Sequence, residues 1–96
     1  MVFYSQDVKQ SKIFKYDTET SDLLEKFIVP VGDINWKIQI YRSKLNPAFY
    51  WAIEKQLNVD SWQIICPHTT LVIDYLLEHN LVEIINKYFA EKIIEI

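Results

Sequence analysis

Between Ile34 and Arg42 the chain alternates strictly: Ile34, Trp36, Ile38 and Ile40 fall on one side, Asn35, Lys37, Gln39 and Tyr41 on the other. A period of two with one apolar side is the pattern of a half-buried antiparallel strand, wet on its second face. Val2-Phe3-Tyr4 and Ile13-Phe14-Lys15-Tyr16 are also β-prone, and the polar stretch Ser5 to Lys12 between them reads as the long loop of a hairpin. Trp62-Gln63-Ile64-Ile65-Cys66 predicts a short strand that Pro67 ends. The single glycine, Gly32 in Pro30-Val31-Gly32-Asp33, marks a tight turn just ahead of the clearest strand.

Other segments carry helical spacing. Leu23, Leu24, Phe27 and Ile28 share one helical face behind a Ser21 or Asp22 cap, and Pro30 stops the segment. Asn46 caps a second helix with Pro47 at its first position, running to about Leu57 with Phe49, Ile53 and Leu57 on one stripe. From Thr69 or Thr70, Leu71, Val72, Tyr75 and Leu76 line a broad face that Leu77, Leu81, Ile84, Ile85, Tyr88 and Phe89 continue. The polar triplet Glu78-His79-Asn80 favours two helices meeting near residues 79–80 over one helix of about 20 residues, with Asn80 closing the first or capping the second. Lys92–Ile96 fits either a terminal strand or a last helical turn.

Together these elements predict one small α+β domain over residues 1–96, with a mixed or mainly antiparallel sheet of about four or five short strands. Three or four helices accompany it, and the C-terminal half is mostly helical. The strand-helix-strand run from 34 to 66 fits one parallel right-handed unit. Thr69-Thr70-Leu71 followed by Ile84-Ile85 and Tyr88-Phe89 resembles one helical pair of an ankyrin repeat. The turn glycine and the stacked neighbours of such a unit are absent, so no function is carried across.

Composition narrows what such a domain does. Half of the 96 residues are apolar and 24% are charged, the balance of a folded globular chain. With one glycine the chain has no phosphate-cradling loop, dinucleotide fingerprint or nucleophile elbow, and no cofactor is expected. Cys66 stands alone, so no internal disulfide forms, and no apolar run approaches the ~20 residues of a spanning helix. A soluble, cytoplasmic protein without a membrane partner is the expectation. Net charge is −3, but residues 1–44 hold seven Lys and Arg against six acids, and residues 45–96 three against seven. Any nucleic-acid role therefore belongs to the first half.

Four groups of residues are candidates for function. Cys66-Pro67-His68, between strand and helix, suits a small thiol-dependent enzyme with Cys66 as nucleophile and His68 or His79 as base. Cys66 equally ends an apolar run, as a core cysteine does. Asp74, Glu78, His79 and Glu83 sit at helical spacing, and a solvated acidic face explains them without a metal. Lys9, Lys12 and Lys15 interleave with Phe14 and Tyr16, with Lys37 and Arg42 extending the set, as in a strand that binds single-stranded nucleic acid. Finally, Phe49, Tyr50 and Trp51 on a helix would point about 100° apart, so at least one is expected at the surface or in a subunit contact. The leading expectation is a non-enzymatic domain that binds a protein, of inhibitor, immunity or adaptor type, such as phages or mobile elements carry. Tyr41, Tyr50 and Trp51 are its expected contacts, with Asp74 and Glu78 as rim charges. Homodimerisation would also cover surplus aromatics.

Overall fold

A computed structural model describes all 96 residues. Strands β1 (Val2–Asp7) and β2 (Lys12–Asp17) form an isolated antiparallel hairpin. A 3-10 turn at Thr18–Thr20 leads into β3 (Ser21–Val31), β4 (Ile34–Ser43), β5 (Tyr50–Gln56) and β6 (Gln63–Cys66). These four pair only with sequence neighbours, in the order β3-β4-β5-β6, and every pairing is antiparallel. Helices α1 (Thr69–Glu78) and α2 (Val82–Tyr88) follow, then a 3-10 turn at Ala90–Lys92.

The strands alternate between two cores. Ile38, Ile40, Ala52 and Cys66 face the helices and meet Val72, Leu76, Ile85 and Phe89. On the opposite face Tyr41, Trp51 and Ile53 meet Tyr16 and Phe3 of the hairpin. The layers therefore run hairpin, sheet, helices, and each buries a face that the sheet alone would leave wet.

Several expectations need correction. The chain is 46% strand and 24% helical, with two α-helices rather than three or four and no mostly helical C-terminal half. Ser21–Val31 is an 11-residue strand, not a short helix. Its register against β4 slips between Leu23 and Glu25, and the extra residue at Leu24 puts the apolar positions out of period two. That slip produces the helix-like spacing of Leu23, Leu24, Phe27 and Ile28. Pro30 does not end the element, because an edge strand tolerates a missing N–H. The segment after Asn46-Pro47 is strand β5, not a helix, so residues 34–66 form an antiparallel meander rather than a parallel unit. Asn46 instead closes a loop, its carbonyl accepting from Phe49 N at 2.9 Å and its N–H donating to Ser43 Oγ at 3.1 Å.

Local chemistry explains the turns. Gly32 has φ +61° between the paired residues Val31 and Ile34, and Asp33 does not share the positive φ, the arrangement of a two-residue turn with glycine first. Nothing lies within 4 Å of where a Cβ would sit, so its dihedral and not crowding requires glycine. Asn80 has φ +53°; Asn80 N donates to Leu77 O and Leu81 N to Leu76 O, the double-bonded helix ending that a left-handed residue permits. The polar triplet thus separates two helices. Thr69 opens α1, and its Oγ1 accepts from Tyr50 N at 2.9 Å and donates to Ala48 O at 3.1 Å, fastening the start of α1 to the start of β5. At the other end, Tyr88 Oη lies 3.2 Å from the Leu24 carbonyl and 3.0 Å from Glu25, whose carboxylate also meets Lys87 at 3.0 Å. That cluster docks α2 on the irregular stretch of β3.

Candidate partner-binding groove

The hairpin is an arm laid across one end of the sheet. Its alternation sends Phe3, Ser5, Phe14 and Tyr16 inward, and Val2, Tyr4, Ile13 and Lys15 outward. Tyr16 is the anchor. Its hydroxyl donates to Pro67 O at 2.7 Å and accepts from Ser5 Oγ at 2.8 Å, and burial pushes its pKa above the ordinary phenol value. Its ring packs 5.5 Å from Trp51, which stacks on Tyr41 at 4.6 Å and meets Phe3 at 6.2 Å. Trp51 Nε1 donates to Ser21 Oγ at 3.2 Å, so this aromatic core has no orphaned polar atom.

Beside that anchor the arm stands clear of the body. A cleft of about 510 Å³ lies under the arm's tip, between Ser5–Gln10 and the loop Pro67–His68. A second, of about 220 Å³, lies along β2, between residues 14–17 and the β4–β5 connection at Ser43, Leu45 and Asn46. Phe14, Tyr16 and Phe49 line both, so the two read as one groove with an aromatic floor. Phe14 is inward-facing yet 39% exposed, and Leu45 is 85% exposed in the opposite wall. β2 pairs only with β1, and no other main-chain or side-chain bond reaches the N–H groups or carbonyls of residues 12–16. The groove therefore has an apolar floor and an unpaired strand edge for one wall. Lys9, Lys12 and Lys15, all exposed, outnumber Asp7 and Asp17 on the arm of an otherwise acidic protein.

The residues that the sequence singles out do not converge on one surface. Trp51 is 1% exposed and Tyr41 6%, both in the core beneath the arm. Tyr50 is half-buried on the opposite face, its ring 4.7 Å from Phe89. Three successive aromatics leave one at the surface on a helix, whereas on a strand covered on both sides they enter two cores. Asp74 and Glu78 are exposed on α1, in the helical layer and away from Tyr41 and Trp51. Leu45 was missed. Its only sequence signal is a large aliphatic in the polar run Ser43-Lys44-Leu45-Asn46-Pro47.

Cys66 lies in the helix-side core, 2% exposed, and burial pushes its thiol up to about 12, with the carboxylates of Glu54 and Asp74 adding to the rise. A nucleophilic thiol needs the opposite shift. His68 is exposed at the rim of the larger cleft, while His79 packs on the Tyr75 ring at 4.3 Å. No group of three or more His, Cys, Asp or Glu side chains is placed to hold a metal ion. The lysine and aromatic set separates too: Lys15 points outward while Phe14 and Tyr16 point inward, and Tyr16 is buried. A different pair of lysines does meet an aromatic. Lys55 and Lys37 lie 5.7 and 6.0 Å from the Trp62 ring, at the end of the sheet face that the arm leaves uncovered. No helix is long and apolar enough to cross a membrane. Comparison with family models, with curated proteins and with solved structures gives no match.

Proposed function

We propose that this protein is a binding module that takes an extended segment of a protein into the groove between its N-terminal arm and the sheet. One observation carries the reading: an unpaired strand edge lies side by side with an apolar floor, Phe14 and Phe49, and faces Leu45 in the opposite wall. Strand addition uses that combination, with main-chain bonds supplying affinity and alternate side chains supplying specificity. The occupant needs no reactive group from the protein, which fits an adaptor or inhibitor role. The lone unpaired Cys66 suits a reducing compartment such as the cytoplasm.

Site-specific photo-crosslinking in the native host tests it. A benzophenone amino acid at Phe14 or Leu45 is expected to give one discrete protein adduct, and the same probe at Leu77, exposed on α1, none. Equal labelling from all three positions, or none from the groove, overturns the proposal.

Nucleic-acid binding is the second reading, favoured by Lys37 and Lys55 flanking Trp62. It predicts that affinity for a labelled oligonucleotide falls steeply with salt and that Lys37→Glu with Lys55→Glu abolishes it.

A further inference from the structure

After the 3-10 turn at Ala90–Lys92 the chain continues extended, with Ile93 at φ −84° and ψ 127°. Residues Ile93-Ile94-Glu95-Ile96 make no strand pairing, and Ile94 is 84% exposed. Three isoleucines in four residues are strongly β-prone, and isoleucine left in water at alternate positions is the mark of a strand without its sheet. The same molecule thus carries an unpaired strand and an unpaired edge.

The edges are not equivalent. β3 is blunted by Pro30 and by the slip at Leu24, where Tyr88 already occupies the carbonyl. β6, Gln63–Cys66, carries no cation to meet Glu95. β1 carries an acid, Asp7, and no cation. β2 carries Lys12 and Lys15 against the one acid Asp17 at its end, and it borders the groove. β2 is thus the edge that both borders the groove and sets a cation, Lys15, where it can face Glu95.

Resting on the groove reading above, we infer that the segment bound there is Ile93–Ile96 of a second copy of this chain, added to β2 as a third strand. A parallel register that opposes Glu95 to Lys15 puts Ile93 on the outer face, beside the exposed Ile13. Ile94 and Ile96 then point inward, towards Phe14 and Phe49. The inward pair fills an aromatic groove and the outward pair matches an aliphatic and a cation. Two copies that exchange tails reciprocally close the assembly, each contributing one groove and one tail. The contact is short, which places the dimer at the weak, concentration-dependent end of protein association.

Sedimentation equilibrium of the full chain across a wide concentration range reads this directly. Self-association is expected to weaken at least about tenfold in Ile94→Lys/Ile96→Lys and in Glu95→Lys, and to return when Glu95→Lys is combined with Lys15→Glu. All four positions are exposed, so folding, checked by circular dichroism, is expected to be unchanged. A synthetic peptide of residues 92–96 is expected to shift amide signals of residues 13–17 and Leu45 in the tail variant. A monomer at every concentration with no peptide shifts overturns the inference, as does a dimer indifferent to the tail variants. The two proposals fail separately. A groove adduct that maps outside residues 93–96 removes the tail and keeps the groove, whereas no groove adduct removes both.

Discussion

Replacing Tyr16 with Phe deletes one oxygen atom and tests how the arm is held. That oxygen donates to Pro67 O at 2.7 Å and accepts from Ser5 Oγ at 2.8 Å, and the ring it leaves behind still packs on Trp51 at 5.5 Å. The aromatic contact survives, so the loss is confined to hydrogen bonding in a part-buried site. Leaving a carbonyl and a hydroxyl short of a partner there costs about 1–2 kcal/mol. For a domain of this size that lowers the melting temperature by about 5–10 °C. Urea denaturation gives the free energy, and hydrogen exchange gives its location. Amides of β1 and β2 are expected to lose more protection than those of β4 and β5, because Tyr16 joins the arm to a loop 51 residues away. Ser5→Ala supplies the control: its cost is expected to vanish in the Tyr16→Phe background, with a coupling of at least about 0.5 kcal/mol. A stability change within about 0.3 kcal/mol of zero, with unchanged exchange in the arm, refutes the anchor.

Cys66 and Tyr75 hold their protons more tightly when folded, because burial opposes both anions and nearby carboxylates reinforce the effect. Their contribution to stability is intact well below pH 9.0, where the unfolded thiol is half ionised, and is lost as pH rises towards about 12. Chemical denaturation at stepped alkaline pH should show that decline, and Cys66→Val should delay its onset to the tyrosine range near 10.0. Iodoacetamide at neutral pH is expected to label native Cys66 far more slowly than the urea-unfolded chain, and rapid native labelling would contradict its burial. Gly32→Ala should destabilise by about 1–2 kcal/mol in thermal or urea melts through its positive φ alone, since no atom meets the new Cβ. Asn80→Gly should be neutral or slightly stabilising while Asn80→Val costs about 1–2 kcal/mol in the same melts, because only the valine resists φ +53°.

The strands that the sequence made legible are those wet on one face. β4 alternates cleanly because its polar side is only partly covered, and the hairpin and β6 follow their β-prone residues. β5 lacks a strand's alternation for a physical reason. It is covered by helices on one face and by the arm on the other, so it shows no alternation but a run of six apolar or aromatic residues, Ala48–Ile53. A short apolar run bounded by turn residues is the mark of a doubly covered strand, and Ser43-Lys44 with Asn46-Pro47 supplied that boundary. Helix-capping residues at Asn46-Pro47 pointed the other way, because a turn and a helix start use the same side chains. β3 was hidden by one extra residue at Leu24, since register is a property of a pair of strands. The groove was illegible for a related reason: Phe14, Leu45 and Phe49 are scattered in sequence, and only the way the arm folds back brings them together.

The strictly sequential order β3-β4-β5-β6 has a kinetic consequence. Each strand pairs with the one just made, so the sheet grows by short loop closures that cost little chain entropy. The docks of α2 and of the arm reach furthest along the chain: Tyr88 reaches back 64 residues to Leu24, and Tyr16 reaches forward 51 to Pro67. Both depend on a meander that is already in place. The meander thus acts as a template, and α2 and the arm are late clasps whose loss should speed unfolding more than it slows folding.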